Sequence, residues 1–265
     1  MQQRHIDRTL YFKEQIQTTQ KYVIPFIENH KTINSNTRIL EIGCGECGNL
    51  PPFLEQGCEV VGVDISAPQI EKAKDYLAEY VESKQLTLYT EDIYNMNGPS
   101  GFDIGQFDLI IMRDVIEHIH DQDKFLGHLK YFLRDSGKVF FGFPPWYMPF
   151  GGHQQIIRHK IGSKLPYIHL LPNFLYVGIL KLFKLSENGI DALLEIKETG
   201  ISIERFRRIV KKNNYVMDEE KLYFINPNYE TKFGLTPREQ CKFIAAIPFL
   251  RNFFTTCSYS IISIK

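Results

Sequence analysis

The sequence predicts an α/β protein with a doubly wound, mostly parallel seven-stranded sheet, helices on both faces and an inserted helical cap. Three observations lead to this prediction. Short apolar segments alternate with helical segments along residues 36–145, which is typical of parallel sheets. A glycine-rich turn at residues 43–48 directly follows the first apolar segment. Between residues 146 and 200 the alternation stops, and aromatic, proline and leucine residues dominate.

Residues 7–28 are predicted to form a helix ahead of the sheet, because apolar residues recur there at helical spacing. Pro25 is expected to kink or end this helix. Five strands are then predicted at residues 38–42, 59–64, 86–90, 107–112 and 138–143. Helices are predicted between them at residues 49–56, 66–80 and 121–133. Ser66 and Gln69 have the spacing of a capping box at the start of the second of these helices.

The second half of the chain is predicted to cap the sheet and then to complete it. The segment "LPNFLYVGILKLF" is expected to be a short amphipathic helix within the cap. Regular structure resumes at Ser202 with a helix that carries an apolar stripe of Ile203, Phe206, Ile209 and Val210. A sixth strand is predicted at residues 215–225, a capped helix near Thr236 and Pro237, and a seventh strand at residues 258–265.

Acidic and glycine residues follow several of the predicted strands and should meet at one crevice, because ligands of such sheets bind at the carboxyl ends of the strands. The glycines at 43, 45 and 48 have the G-x-G-x-x-G spacing of dinucleotide-binding loops. Glu41, two residues before the first glycine, would repel a pyrophosphate but would favour a cationic ligand. This position therefore favours S-adenosylmethionine, with its sulfonium and amine, over a nicotinamide dinucleotide.

Two further carboxylates indicate that the ligand contains adenosine. Asp64 ends the second strand and can accept hydrogen bonds from both ribose hydroxyls in either class of cofactor. Asp92 ends the third strand and can accept a hydrogen bond from the adenine amine, while Ile93 packs against the ring. The alternative for Asp92 is that it only caps a turn.

Composition excludes several other classes of protein. Basic and acidic residues number 31 each among 265 residues, so nothing indicates a broad nucleic-acid-binding surface. No apolar run approaches the length of a membrane span, and "MQQRHIDRTL" lacks the apolar core of a secretory signal. The five cysteines are therefore expected to be reduced thiols in a cytoplasmic protein. Cys44 and Cys47 form C-x-x-C without a second ligand pair, so no metal site is predicted.

Five segments, in this order and spacing, resemble class I S-adenosylmethionine-dependent methyltransferases, most closely the ubiquinone-type and small-molecule O-methyltransferases. They are "LEIGCGECGNL", "VVGVDIS", "TEDI", "FDLIIMRDVIEHI" and "LRDSGKVFFGFPP". The resemblance covers residues 36–145 and, more weakly, residues 195–225. It implies a Rossmann-like sheet and four segments: an N-terminal helical segment (1–35), an S-adenosylmethionine-binding core (36–145), a cap or acceptor region (146–200) and a C-terminal completion of the sheet (201–265).

The resemblance also implies the cofactor-binding residues. The methionine portion would lie in the loop, and the implied contacts are Glu41, Gly43, Cys44, Gly45, Gly48, Asp64, Ile65, Asp92, Ile93 and the backbone carbonyl of Arg113. The family usually has a glycine at or near position 47, where this chain has Cys47. Asp114, Glu117 and His118 match the pattern E-x-x-E-H, although packing against the sheet is the favoured role of Glu117 and His118.

The chemistry expected of this family is direct in-line substitution, which needs alignment and, for a hydroxyl acceptor, a base. His153, in "PFGGHQQ", is the candidate base, and a hydrogen-bonding role within the cap is the alternative. Trp146, Tyr147 and Phe150 are expected, with His153, to wall the pocket of a small-molecule acceptor of apolar or aromatic character; packing on the cap itself is the alternative.

Two other functions stay open at this point. One is a nicotinamide-dependent oxidoreductase that uses the G-x-G-x-x-G loop, and the other is a non-catalytic S-adenosylmethionine-binding protein. The apolar helix of the cap allows peripheral membrane contact, but a lid over the crevice is favoured. The sequence makes no prediction of the oligomeric state.

Overall fold

One mixed β-sheet forms the centre of the molecule in a computed structural model that describes residues 8–98, 101–153, 157, 159 and 161–265. Within these residues the sheet has eight strands: β1 Arg38–Ile42, β2 Glu59–Asp64, β3 Leu86–Thr90, β4 Phe107–Arg113, β5 Leu133–Phe143, β6 Tyr215–Ile225, β7 Arg238–Glu239 and β8 Cys257–Ile264. Their order across the sheet is β3-β2-β1-β4-β5-β8-β6-β7. Strands β1 to β5 are parallel, and β8 lies antiparallel between β5 and β6.

The predicted α/β class and mostly parallel first half of the sheet are confirmed, with one strand more than the seven predicted. The additional strand, β7, is two residues long and pairs with β6 at the edge of the sheet. The predicted helix start at Thr236 is wrong, because the chain there pairs with β6 and the next helix begins at Lys242.

Helices cover both faces of the sheet. Those before the cap are α1 Arg8–Thr18, α2 Ile24–Glu28, α3 Pro51–Leu54, α4 Ala67–Tyr76, α5 Ala78–Glu82 and α6 Gln122–Leu129. Those that follow β5 in the described chain are α7 Asn173–Leu182, α8 Glu187–Thr199, α9 Ile203–Lys212, α10 Asn228–Phe233, α11 Lys242–Ala246 and α12 Leu250–Phe253. Adjacent strand residues such as Ile39 and Leu40 belong to different hydrophobic clusters, because alternate side chains of a strand point to opposite faces.

The N-terminal helix is interrupted close to the predicted position. A π turn at Thr19–Val23 separates α1 from α2, and Pro25 is the second residue of α2. Proline lacks the N–H that would continue the helical hydrogen-bonding pattern, and π turns commonly absorb such a break. The interruption lets α2 bury Phe26 and Ile27 against the sheet while α1 continues toward the carboxyl ends of the strands.

The cap has a small hydrophobic cluster of its own, in which Tyr176 and Leu180 of α7 pack with Leu193 of α8. The buried amide of Gln122 joins the cap to the sheet domain by donating to the carbonyls of Ile116 (3.1 Å) and Thr199 (2.6 Å). This bond holds the end of α8 beside the turn that follows β4.

Asn252 is the basis of a stability prediction for the fold. Its buried side chain accepts a hydrogen bond from the N–H of Ile203 (2.9 Å) and donates to Glu204 (2.6 Å) at the start of α9. Asn252→Ala leaves these groups without that partner, so we expect the free energy of unfolding in urea to fall by about 1–3 kcal/mol. Exposed Asn29→Ala is the matched control, and a loss no larger than that of the control would contradict the prediction.

Candidate active site

Two connected cavities lie at the carboxyl ends of the parallel strands. The large cavity, about 670 Å³, has walls from the ends of β1 to β4 and from Glu195 of α8. The small cavity, about 300 Å³, lies between the glycine loop and α1. The residues that line both are Gly43, Asp64, Gln69 and Asp114. The two cavities therefore form one continuous crevice in the place predicted by the strand-end residues.

The backbone of the glycine loop explains its composition. Gly43 and Gly45 have φ values of +68° and +56°, a region that side chains disfavour. A Cβ atom on Gly43 would lie 2.6 Å from Val115, and one on Gly45 would lie 2.6 Å from Gln69. Cys47 also has a positive φ, +62°, which agrees with the glycine that the family usually has near this position.

The remaining residues predicted in this loop have different positions. Cys44 lines the small cavity, whereas Gly48 lies beneath Gln15 of α1, outside the described walls of both cavities. The Cys44 and Cys47 side chains are buried, and both sulfur atoms lie against Gly62. A hydrogen bond with Cys47, together with burial, raises the pKa of Cys44 well above its usual value. The burial of both side chains and the raised pKa of Cys44 indicate that these thiols pack inside the loop as small uncharged groups.

Asp64 connects two loops as well as lining the crevice. Its carboxylate accepts hydrogen bonds from the N–H groups of Gly45 and Ser66, each at 2.8 Å. The predicted capping box of Ser66 with Gln69 is wrong, because the Ser66 side chain makes no capping hydrogen bond. The neighbouring carboxylate of Asp64 instead engages the backbone at this turn.

The adenine-side residues also lie on the large cavity. Asp92 and Ile93 both line it, and Asp92 accepts a hydrogen bond from the N–H of Tyr94 at 3.0 Å. Asp92 therefore caps a turn and faces the crevice at the same time. Ile65 also lines this cavity and is 79% exposed, which leaves an apolar surface beside Asp64 that a bound nucleoside can cover.

Glu41 is buried below the loop rather than exposed in the crevice. Asn49 donates to Glu41 at 2.6 Å, and the Asn49 carbonyl oxygen accepts from Arg113 Nη1 at 2.8 Å. Burial raises the pKa of Glu41 to about 8, although the Asn49 hydrogen bond and the Arg113 charge act in the opposite direction. At neutral pH the Glu41 carboxyl is thus mainly protonated in the protein alone, which weakens the charge argument drawn from its sequence position.

Glu117, His118 and His153 are brought together at the cap side of the crevice. Their ligating atoms lie within 4.8 Å of one another, and the rings of His118 and His153 are 5.1 Å apart. His118 lines the large cavity directly. Burial, with the charges of His118 and His169, lowers the pKa of His153 to about 4, so its imidazole is neutral at pH 7.

The carboxyl group of Glu117 is buried, and neither oxygen has a hydrogen-bond partner within the described chain. Burial and the charge of Asp114 raise its pKa well above the usual value. One carboxyl and two imidazoles are also a donor set that suits a metal ion such as Zn²⁺. The absence of a metal site, expected from the sequence, therefore stays a prediction.

The aromatic residues predicted to wall the acceptor pocket contact other parts of the cap and C-terminal segment. The Trp146 ring lies 4.6 Å from His169, and the Tyr147 ring lies 5.5 Å from Phe253. The Phe150 carbonyl accepts from the N–H of His153 at 3.3 Å. None of the three is among the described residues that line the two cavities. Their role in acceptor binding stays a prediction.

Sequence reasoning did not assign to the crevice several residues that line it, among them Gln69, Asp114 and Glu195. Asp114 had a usable signal, since it directly follows β4 as Asp64 ends β2. Glu195 had none, because its position depends on how α8 folds back over the turn after β4.

Gly43→Ala tests the loop. The added Cβ would lie 2.6 Å from Val115 at a φ of +68°, so the loop must shift, and we expect the affinity for S-adenosylhomocysteine to fall at least about tenfold. Calorimetry measures the affinity. Gly178→Ala in α7, where a Cβ meets no atom within 4 Å, is the control and should bind normally. Equal affinities of the two variants would contradict the assignment of the loop.

Comparison with known proteins agrees with this geometry. A family described as "Methyltransferase domain" matches residues 40–139. A ubiquinone biosynthesis O-methyltransferase of Rhodopseudomonas palustris (strain BisA53) is 32% identical over 114 residues, which are 42% of each chain. One of Bartonella tribocorum is 31% identical over 172 residues, 63% of this chain and 64% of the relative. The chain thus spans about two fifths of the length of the first of these relatives.

Solved structures of low sequence identity share the fold. A magnesium protoporphyrin IX methyltransferase from Synechocystis PCC 6803 has a TM-score of 0.53 at 15% identity, covering 95% of this chain and 84% of that chain. A putative sarcosine dimethylglycine methyltransferase from Galdieria sulphuraria has a TM-score of 0.58 at 14% identity, covering 92% and 84%. Across the described residues, no helix has the length and apolar character needed to cross a membrane. Residues 40–139 thus match a methyltransferase domain, and the fold around them is one that solved methyltransferases share.

Proposed function

We propose that this chain transfers the methyl group of S-adenosylmethionine to an oxygen atom of a small-molecule acceptor by direct in-line substitution. One observation carries the proposal: a single cavity joins Asp64 and Asp92, which suit adenosine, to His118, which contacts His153. The relatives named as ubiquinone biosynthesis O-methyltransferases support oxygen as the acceptor atom.

The residues of the crevice fit this cofactor. Asp64 and Ile65 would hold the ribose, Asp92 and Ile93 the adenine, and the open backbone at Gly43 the methionine portion. The cavity wall is mostly apolar around these groups, as a nucleoside base requires. When bound, the cofactor supplies a methyl group already activated by a positively charged sulfur, so no covalent enzyme intermediate is needed.

The protein itself must align the acceptor, exclude water and remove the hydroxyl proton. We assign His153 as the acceptor of that proton because its ring meets His118 at the cavity wall and its imidazole is neutral at pH 7; its pKa of about 4 makes it a weaker base than an ordinary histidine. The cap closes this side of the crevice through Glu195. We assign the cap as a lid, which is the role that the apolar cluster of α7 and α8 supports.

The division into segments 1–35, 36–145, 146–200 and 201–265 is part of the same proposal, as is a cytoplasmic location. The separate hydrophobic cluster of the cap supports the division into segments. The five cysteines, all free thiols, support a reducing compartment. An apolar or aromatic acceptor is supported by the largely apolar wall of the large cavity.

Calorimetry followed by a transfer assay tests the function. We expect heats of binding with S-adenosylmethionine and S-adenosylhomocysteine and none with NAD. Labelled methyl from S-adenosylmethionine should then appear on members of a small-molecule library that carry hydroxyl groups. Binding of NAD alone would support the oxidoreductase and sink the proposal. Transfer to amines alone would keep the methyltransferase and overturn the oxygen acceptor.

A further inference from the structure

The thiols of Cys44 and Cys47 form a pair inside the glycine loop that the proposed reaction does not use. Both side chains are buried, and a Cβ atom on Gly62 would lie 3.0 Å from the Cys44 sulfur and 3.4 Å from the Cys47 sulfur. Gly62 therefore leaves room for both sulfur atoms at one point on β2. A hydrogen bond joins the two thiols. The pair is thus already in contact in the reduced protein.

The backbone between the two cysteines forms a turn that a disulfide can close. The N–H of Cys47 donates to the carbonyl of Cys44 at 2.8 Å. A β-turn of this kind places its first and fourth Cα atoms within about 7 Å, and disulfides span Cα separations of about 4.4–6.8 Å. Bond formation therefore requires the sulfur atoms to approach to about 2.05 Å, without a large movement of the two Cα atoms.

Cys47 occupies its position in a strained conformation. Its φ of +62° lies in the left-handed region, which residues with a Cβ atom disfavour and which glycine adopts freely. Strained backbone of this kind is commonest at residues with a role beyond packing. The thiol that Cys47 places beside Cys44 is the feature that a glycine at this position would lack.

The same turn carries contacts of the candidate cofactor site. Gly45, between the two cysteines, donates its N–H to Asp64 at 2.8 Å. Glu46 pairs with Arg8 of α1 at 2.9 Å. Gly45 and Glu46 both line the small cavity. A covalent bond between the sulfur atoms would draw in the turn that holds these groups, so the oxidation state of the thiols and the shape of the cavity are linked.

We infer that Cys44 and Cys47 are a modification site, at which a peroxide closes the glycine loop with a disulfide that weakens cofactor binding. The thiolate of one cysteine attacks a peroxide oxygen, the O–O bond breaks, and a sulfenic acid and hydroxide form. The other thiol attacks the sulfenic sulfur, so that the S–S bond forms and water leaves. The hydroxide takes up the proton lost by the first thiol. Two thiols are thereby oxidised to a disulfide, and both oxygen atoms of hydrogen peroxide are reduced to water.

The pair rests in its thiol form. The hydrogen bond with Cys47, together with burial, raises the pKa of Cys44 well above its usual value, so little thiolate is present near neutral pH. An oxidant reaches the buried sulfur atoms only when the loop moves, and a ligand bound on the loop opposes that movement. S-adenosylhomocysteine at about ten times its Kd leaves about one eleventh of the protein free and should slow disulfide formation about tenfold. The inference rests on the proposed function only in its choice of this ligand.

Treatment of the full chain with hydrogen peroxide tests the inference. Alkylation of the remaining thiols, followed by mass spectrometry of the digest, should show Cys44 joined to Cys47, and dithiothreitol should reverse the bond. Calorimetry should show that the oxidised chain binds S-adenosylhomocysteine at least about fivefold more weakly than the reduced chain, the lower end of the coupling between linked sites. Reduction with dithiothreitol should restore the affinity.

Cys47→Gly is the main variant, because glycine suits the φ of this position, and Cys44→Ala is the second. In each, the affinity for S-adenosylhomocysteine should change less than about twofold on peroxide treatment. Cys241→Ser removes an exposed thiol and should respond as the unaltered protein does. Absence of the bond, an unchanged affinity of the disulfide form, or an equal loss in Cys47→Gly would overturn the inference. If the reduced chain binds NAD instead, the proposed function fails, and the same comparison is made with NAD.

Discussion

His153→Ala is expected to slow methyl transfer by a factor of about 10²–10⁴ and to leave the affinity for S-adenosylhomocysteine within about twofold. The position of His153 explains why only the rate should change. His153 contacts His118 at the cavity wall but is not among the residues that surround the adenosine portion. Removal of its imidazole takes away a proton acceptor without opening the cofactor site. Single-turnover rates with an acceptor found in the library screen measure the chemical step.

The pH dependence of that rate has a definite sign. Because burial and the neighbouring histidine charges lower the pKa of His153 to about 4, the imidazole is neutral above about pH 5 and becomes protonated below it. If His153 is the base, kcat/KM should fall on the acid side near pH 4 and not near the usual histidine value of 6.5. A fall centred near 6.5 would contradict the assignment.

Two variants separate His153 from its neighbours. His159→Ala, in the same cap but against Phe183, should transfer methyl groups at the normal rate. His118→Ala removes the ring that lines the cavity itself. If His118→Ala loses the activity and His153→Ala does not, the base is His118. The E-x-x-E-H pattern would then have been the better guide to the catalytic residue.

Local sequence patterns were sufficient for much of the fold. The predicted bounds of β1, β2, β3 and β6 coincide with those observed, and the predicted apolar stripe of α9 is buried. Three of these segments carry their own pattern, since β1 and β2 contain short runs of buried apolar residues and the apolar residues of the helix repeat at 3.6 residues. The two-residue strand β7 carries no such pattern, because it exists only through pairing with β6.

The site, like the fold, contains residues that local sequence predicts and residues whose positions depend on contacts distant in the chain. Gly43, Asp64 and Asp92 follow strands directly, so their meeting at one crevice follows from parallel topology alone. The contact between His118 and His153 requires the cap to fold back toward the turn after β4, which no local pattern specifies. The same holds for Glu41, whose burial depends on Asn49 and on the approach of α1 to the loop.

Glu41→Gln should remove a pH-dependent loss of stability on the order of 3 kcal/mol between about pH 5 and about pH 8.5. In the unfolded chain this carboxyl loses its proton near its usual pKa of 4.5, whereas in the folded protein burial raises the pKa to about 8. Between these values the unfolded state binds fewer protons than the folded state. The free energy of unfolding therefore falls as the pH rises through this window.

Urea unfolding of both proteins across this range measures the effect, because the difference between them cancels the contribution of other titrating groups. A glutamine at 41 retains an oxygen that can accept from Asn49 and has no charge to bury. Glu71→Gln on exposed α4 is the control and should follow the unaltered protein at every pH.

Parallel curves for Glu41→Gln and the unaltered protein would mean that Glu41 is ionised when folded. Its charge, linked through Asn49, would then balance the charge of Arg113. A clear divergence at high pH would mean that Glu41 is protonated when folded and does not balance the charge of Arg113. The pH dependence of stability therefore reports the protonation of Glu41, and with it whether the buried charge of Arg113 has a balancing charge through Asn49.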